Sequence, residues 1–462
     1  MTLLEETTAC LRIPTPALAR LSVEGSGRLL SAFPVNDFAA HAIGAAGIAL
    51  GQLREEVFGG ACAITVDRRL ASLWFGMSIQ PIAWDLPSAW DAIAGDYVSV
   101  DGWIRLHTNA PKHRAAALRV LRCVEDRAAV TTAVARWTSE TLEAAIVHAG
   151  GCAAQMRSCN DWKMHPQGNA VANEPLIAFS SSKLSTATFA FSQWKPSPDK
   201  PLAGLKILDL TRVLAGPVAT RFLAGYGADV LRIDPPDWDE PGLIPEVTLG
   251  KRCVRLDLRN RQDRDAFEGL LSEADVVVHG YRPNALDKLG YSAATRRAIN
   301  PGVIDVCLNA YGWTGPWHER RGFDSLLQMS SGIAHLGMAW KQVSHPVPLP
   351  VQAIDHATGY LMAAAVIRSL HWRITENKAS TAKLSLARTA HALISLPRHE
   401  TFVDGGTSND ADVEPTLEQT DWGLAKRLRS PLSVGGNILS WRRPASRLGS
   451  TRPEWDASPA VF

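Results

Sequence analysis

Between Leu205 and Gly312, apolar runs alternate with helix-forming segments, and this alternation constrains the fold more than any other feature of the chain. GLKILDL reads as a buried strand, and the turn TRVLAGP leads into a helix through VATRFLAGYG. ADVLRID reads as a second strand, followed by the Pro-rich loop DPPDWDEPG. A helix is expected over about Gln262–Glu273, then a third strand in ADVVVHGY and a fourth in GVIDVCLNAYG. Strands separated by crossover helices pair in parallel, and such a sheet binds ligands beyond the carboxyl ends of its strands. The expected fold class is therefore α/β, a Rossmann-like parallel-sheet large domain, with a smaller α+β domain made by the segment before it.

The chain has 462 residues, 46% of them apolar, enough for a large core and more than one domain. Its 48 Lys and Arg nearly balance 46 Asp and Glu, which argues against a dedicated nucleic-acid binder. No run reads as a signal peptide or as a bilayer span, so no membrane role and a cytoplasmic location are expected. The seven Cys are scattered without a C-x-x-C pair, and the His residues lack ligand spacing. Neither a disulfide framework nor a metal site is expected.

Ahead of the α/β region the order is different. Residues 1–30 read as a helical lead-in. Asp37–Arg54 is a small-residue helix, and ACAITVDRRLASLWF after it reads as a strand running into a helix. The same plan recurs after Asp355: DFAAHAIGAAGIALGQL matches DHATGYLMAAAVIRSL, and AITVDRRLASL matches AKLSLARTAHAL. This order points to an internal repeat. Residues 97–180 form a separate unit, with strand-like YVSVDGWIRLHTN, an amphipathic helix over Thr131–Ala149 and a returning strand in GGCAAQMRS. The expected division is a lead-in (1–30), a truncated repeat of the Asp-bearing helix (31–96), a small-domain-like segment (97–180), a Ser/Lys/Pro-rich linker (181–202), the large domain (203–395) and a C-terminal extension (396–462), disordered from about Ser446.

The stretch LPVQAIDHATGYLMAAAVIR places Asp355 at the start of a helix rich in Ala and Gly. A carboxylate there either caps the first turn or stays ionised in the positive end field, available to an electrophile. GYGADV follows a helix and precedes a strand, the reverse of a dinucleotide-binding loop. Gly250-Lys251-Arg252 lacks the spacing of a P-loop. Arg212, Lys251, Arg252, Arg259, Arg282 and Lys288 fall at or near expected strand ends, either as surface charge or as a cradle for an anion.

TRVLAGPVATRFLAGYGADVLRID, GKRCVRLDLR, ADVVVHGYRPNALDKLGYS, NPGVIDVCLNAYGWTGPW, RRGFDSLLQMSSG and VQAIDHATGYLMAAAVI stand in the order and spacing of the family III CoA-transferases. The chain resembles that CaiB/BaiF-type family, which also contains the α-methylacyl-CoA racemases, over residues 203–395. Residues 97–180 resemble the family's small domain but precede the large one, so the chain looks rearranged or fused, with Asp37 a structural counterpart of Asp355. The resemblance implies the family III fold and transfer of CoA from an acyl-CoA to a carboxylic acid, with Asp355 attacking the thioester to give a mixed anhydride. Backbone N–H groups at the following helix would stabilise the oxyanion. Coenzyme A would be held by Arg212, Val213, Leu256, Arg259, Gly280, Tyr281 and Lys288. Pro235 stands where some members place an Arg, and Asn284 where a Gly is common. The resemblance also implies a homodimer, interlocked in the family. Two alternatives stay open. One is a 2-methylacyl-CoA racemase, which would need a His where Gly322-Phe323-Asp324 has none. The other is a catalytically silent acyl-CoA-binding subunit.

Overall fold

A computed structural model describes residues 2–27, 29–184, 194–398 and 408–456. Its largest sheet has seven strands: β1 (Ala178–Lys183), β2 (Lys206–Leu210), β3 (Asp229–Asp234), β4 (Lys251–Arg255), β5 (Val276–His279), β6 (Ile304–Asn309) and β7 (Lys378–Ser385). They lie in the order β4-β3-β2-β5-β6-β7-β1. All pairs are parallel except β7 with β1. Strands β2, β3, β5 and β6 are the four runs expected from the alternation. β4 and β7 extend the sheet at each side, and apolar side chains fill both faces, as parallel sheets require. The order reverses between β2 and β5. The loops after those two strands, Thr211–Val213 and Gly280–Arg282, therefore open on one crevice.

Asp355 lies in the third position of a 24-residue helix, Ala353–Glu376. Glycine is needed at 359: a Cβ there would sit 2.4 Å from the carbonyl oxygen of Ala215. This close approach seats the helix on Ala215–Gly225, the crossover that follows β2. Its other flank packs on the helix Val35–Phe58, also 24 residues, and the two share one core. The two helices enter through nearly the same backbone, with Pro34 at φ −75°, ψ 57° and Gln352 at φ −77°, ψ 64°. Each is followed by a strand and a short helix, Ile64–Asp67 with Arg68–Trp74, and β7 with Leu386–Ile394.

Residues 95–155 form a compact α+β unit. The hairpin Gly95–Val98/Trp103–Leu106 pairs with Ala153–Gln155 and packs on helices Pro111–Leu121, Arg127–Val134 and Ser139–His148 around a core of its own. The single helix expected over Thr131–Ala149 is broken, because the Thr138 side chain accepts the N–H of Thr141 and starts a new helix.

Three expectations need correction. The lead-in ends in a strand, Leu21–Glu24, parallel to Ile64–Asp67. The segment drawn as linker begins inside β1, whose Ser181–Lys183 pair with β7. The tail is ordered beyond Ser446: the N–H of Thr451 donates to the carbonyl of Cys253, and Trp455 packs on the sheet's second core. Residues 457–462 lie outside the described residues. The C-terminal segment is tied to the N-terminal one, since Leu432–Val434 pairs with Ile64–Asp67 and Gly423–Arg427 with Ile79–Pro81. Sequence periodicity misses these short strands because each is only a few residues long and long-range pairing creates it.

Candidate active site

Two walls flank a cleft of about 230 Å³. The sheet side supplies Val213, the loop Trp238–Leu243, Phe323–Ser325, Gln352 and Asp355; the small unit supplies Ser88–Asp91, His107, Asn109 and Ala110. A surface ion pair, Lys112 Nζ to Asp237 at 2.9 Å, spans the two sides.

Asp355 is 4% exposed and borders this cleft. It does not cap its own helix. That task falls to Asp324, whose Oδ2 accepts the N–H of Asp355 at 2.9 Å and whose carboxylate also takes the N–H of Ile354. Gln328 in turn donates to Asp324 Oδ1 at 2.5 Å and accepts the N–H of Leu349 at 2.7 Å, fixing the loop that leads into the helix. The helix-start N–H groups expected to face an oxyanion are thus already occupied. Gln352, just before the helix and lining the cleft, carries an amide that can donate there instead.

The Asp355 carboxylate accepts no hydrogen bond from a described residue, and burial, Asp324 and Glu240 raise its pKa well above the usual carboxylate range. Burial likewise lifts Asp324 to about 6. Glu240 is raised by burial too, although its two oxygens accept the N–H of Val213 at 2.9 and 3.0 Å. Three carboxyls share one low-dielectric site, and like charges there favour a shared proton.

The crevice between β2 and β5 brings Arg212 and Tyr281 together. The Arg212 guanidinium donates to the Tyr281 hydroxyl at 3.0 Å and lies 4.7 Å from the Trp238 ring centroid and 5.2 Å from that of Tyr281. Val213 holds φ +64°, a conformation a β-branched residue seldom adopts, and borders the cleft. Gly280 is exposed in the same crevice, and Lys288 is exposed on the helix Ala285–Lys288. Leu256 is different: its side chain is buried in the second core, so only its backbone is available to a ligand. Arg259 is engaged by its neighbour Asp257 at 2.7 and 2.8 Å.

The basic grouping divides. Lys251 and Arg252 begin β4 and pair with Asp209 of β2 and Asp229 of β3 at 2.9 and 2.8 Å. They are structural. Arg282 instead lies close to Arg321, and burial together with that neighbour lowers its pKa. His113 beside them is lowered to about 4 by burial and both guanidiniums. Two guanidiniums close enough to repel one another can attract an anion.

His107, Glu240 and Asp91 escaped sequence reasoning because nothing near them in sequence marks them. His107 stacks on Phe323 with centroids 3.8 Å apart, and its Nδ1 lies 3.3 Å from Ser325 Oγ. His356 turns away and stacks on Phe75 at 5.1 Å. Asn284 sits at φ +66°, the left-handed region that favours Gly and tolerates Asn, so that departure keeps the turn. Asp37, one-third exposed, pairs with Arg68 at 3.0 Å and borders none of this cleft.

Among the described residues, one buried trio could in principle hold a metal, His279, Asp305 and Cys307. Arg296 bonds to Asp305 at 2.5 and 3.0 Å and lies 3.2 Å from His279 Nε2, so a cation already fills it.

Residues 202–417 match the family described as CoA-transferase family III. The acetyl-coenzyme A transferase nodX of Hypoxylon pulicicidum is 32% identical over 254 residues, 53% of this chain and 43% of that protein. The probable fatty acyl-CoA transferase Rv3272 of Mycobacterium tuberculosis is 32% identical over 211 residues, 43% of this chain and 53% of that one. Human succinyl-CoA:glutarate CoA-transferase is 32% identical over 184 residues, covering 37% and 42%. A crystal structure of Rv3272 aligns at 30% identity and TM-score 0.38 over 42% of this chain and 57% of that one. The chain spans about half the length of the curated relatives it matches.

Proposed function

With residues 202–417 a CoA-transferase family III segment, we propose that the chain is a CoA-transferase with Asp355 as its covalent nucleophile. One observation carries this reading: a buried carboxylate without a hydrogen-bond donor, at a helix start, borders a cleft beside the crevice of Arg212 and Tyr281. Structural aspartates of this burial are normally satisfied.

In the proposed reaction the Asp355 carboxylate attacks the thioester carbonyl. A C–O bond forms, the C–S bond breaks, and the electron pair leaves on the CoA thiolate. The product is a mixed anhydride, still activated, so no ATP is needed. The acceptor carboxylate attacks the Asp355 carbonyl of the anhydride and displaces the donor acid. The thiolate then attacks the new acyl carbon and frees Asp355. Burial keeps water from the anhydride. Gln352 is placed to donate to the developing oxyanion. Gln352→Leu lowers kcat about 100-fold with little change in KM for CoA, as loss of a single oxyanion donor does.

Arg212, Tyr281 and the Arg282–Arg321 pair support CoA binding in the crevice, with Val213, Gly280 and Lys288 around it. Leu256 takes part through its backbone, and Arg259 only after leaving Asp257. Lys288→Ala and Arg321→Ala each raise the KM for CoA, roughly tenfold, and leave kcat unchanged. Unaltered KM in both would remove them from the binding surface.

Mass spectrometry after incubation with an acyl-CoA tests the central reading. An adduct on the peptide bearing Asp355, released by hydroxylamine, is expected. CoA binding with no adduct would favour the silent subunit.

A second reading, α-proton exchange on a 2-methylacyl-CoA, gains from one observation: His107 brings an imidazole against Phe323 in the cleft of Asp355. Burial lowers its pKa to about 3, so it is a weak base, and the transferase reading is preferred. Solvent deuterium entering the α-position without any Asp355 adduct would reverse that order.

All seven Cys are free, which suits a cytoplasmic setting. No helix among the described residues is long and apolar enough to cross a membrane. The family resemblance carries a homodimer with it, but here the small unit closes the cleft from within the same chain. Light scattering at micromolar concentration distinguishes dimer from monomer.

A further inference from the structure

The turn between β2 and its crossover helix joins the crevice to the seat of the Asp355 helix. On one side of it Arg212 bonds to Tyr281. On the other, the carbonyl oxygen of Ala215 lies so near Gly359 that a Cβ there would approach it to 2.4 Å. Between them Val213 holds φ +64°. A β-branched side chain disfavours that conformation, so contacts from outside the turn must hold it.

Two buried carboxylates grip the turn. Asp209 takes the N–H of Thr211 at 2.9 Å and the hydroxyls of Thr211 and Thr220 at 2.5 Å, with Lys251 Nζ 2.9 Å away as its counter-charge. It stands behind the turn and does not line the cleft. Glu240 does line it, and both its oxygens accept the N–H of Val213, at 2.9 and 3.0 Å. Glu240 is itself fixed. Its carbonyl accepts the N–H groups of Leu243 at 2.8 Å and Ile244 at 3.0 Å, and Arg232 stands 3.5 Å from its carboxylate while bonding to Asp234 at 2.8 and 3.0 Å.

Resting on the reading of Asp355 as nucleophile, we propose that Glu240 is a positioning residue for the reaction. By holding the N–H of Val213 it fixes the strained turn, and the turn fixes the spacing between a CoA thioester in the crevice and the Asp355 carboxylate. Such spacing matters, because a displacement of about 1 Å at the reacting atoms can cost about 100-fold in rate. The turn needs an acceptor of this reach and not a charge. A glutamine side chain offers an oxygen at the same reach, whereas an aspartate falls one methylene short.

Glu240→Asp and Glu240→Gln test this, with acetyl-CoA, butyryl-CoA and succinyl-CoA as donors. Single-turnover acylation of Asp355 is followed by mass spectrometry, and CoA binding by calorimetry. Glu240→Asp is expected to slow acylation about 30-fold and to change the Kd for CoA by less than about threefold. The Kd holds because Arg212 keeps Tyr281 and the Trp238 ring. Glu240→Gln is expected to restore the rate to within about threefold of wild type. In a Val213→Gly background, where positive φ carries no steric cost, Glu240→Asp loses only about fivefold. Hydrogen exchange of the peptide containing Val213 reads the tether with no donor present: faster in Glu240→Asp, close to wild type in Glu240→Gln. Wild-type acylation in Glu240→Asp, an equal loss in both variants, or unchanged exchange in Glu240→Asp would overturn the proposal and leave Asp355 as nucleophile. Wild-type protein that gains no adduct from any of the three donors overturns the nucleophile, and the positioning role falls with it even where the exchange pattern shows the tether.

Discussion

Asp355→Ala is expected to abolish the proposed CoA transfer, by about 10⁴-fold or more, and to leave CoA binding, because it removes the carboxylate proposed to form the anhydride. Undiminished turnover in this variant would end the proposed mechanism. The environment of Asp355 also sets the pH dependence. Its carboxyl is raised by burial and by Asp324 and Glu240, and Asp324 by burial to about 6. Attack requires the ionised form, so kcat/KM rises with pH along a limb above that of an ordinary aspartate. Asp324→Asn keeps an acceptor for the N–H groups of Ile354 and Asp355 but deletes the like charge. The limb therefore moves to lower pH. A variant that loses rate at every pH alike, without moving the limb, would make Asp324 a purely structural cap.

The sign for stability is opposite to that of a salt-bridged acid. A carboxyl whose pKa is raised on folding binds its proton more tightly in the native state. Asp324 therefore favours the fold below about pH 4 and loses that contribution as pH rises through about 6.

Glu246→Ala is expected to cost about 3–5 kcal/mol of stability, since it leaves the buried Arg221 guanidinium without its counter-charge and takes from Arg427 one of two, Glu418 remaining at 2.6 Å. Glu246 is fully buried. It pairs with Arg221 and with Arg427 at 3.0 Å, and accepts the N–H groups of Ser78 and Ile79, both at 3.0 Å. These partners come from the N-terminal segment, the crossover helix and the C-terminal strand, so one carboxylate ties three distant parts of the chain. Urea denaturation should show a lower midpoint at unchanged slope, and a shift within error would show that the network is dispensable. The two guanidiniums and the Ser78 hydroxyl hold the Glu246 pKa at about 2. Its contribution is complete above the unfolded value near 4.5 and fades as pH falls toward 2, so the wild-type protein loses stability in acid partly through this group.

Much of the scaffold is legible in the residues. Apolar runs of strand length, separated by helix-length segments, leave a parallel sheet as the simple way to bury both faces, and β2, β3, β5 and β6 follow from that alone. The place of Asp355 follows likewise, because small residues at 357, 359 and 363–365 announce a tightly packed helix and Asp355 opens it. Its role there does not. A carboxylate at a helix start reads as a cap until Asp324, 31 residues earlier, is seen holding the N–H groups itself.

The basic residues show the same division. Arg212 and Arg282 lie at carboxyl ends of strands, whereas Lys251 and Arg252 lie at an amino end. Only the strand boundaries separate them. The short strands near both termini were missed for a related reason: two to five residues carry no period, and pairing with a distant partner is their sole determinant.

Local order in the sequence therefore determined the sheet, its crossover helices, the position of Asp355 and the family pattern that surrounds it, because each depends on residues within a few turns of one another. The tertiary structure decided which wall faces Asp355, which groups occupy the helix-start N–H bonds, and how acidic the cleft is. Trp90, Asp91 and His107 meet Glu240 and Asp324 only after more than a hundred residues of chain have folded between them. Charge and burial at such a meeting are properties of the packed assembly, and no stretch of sequence carries them alone.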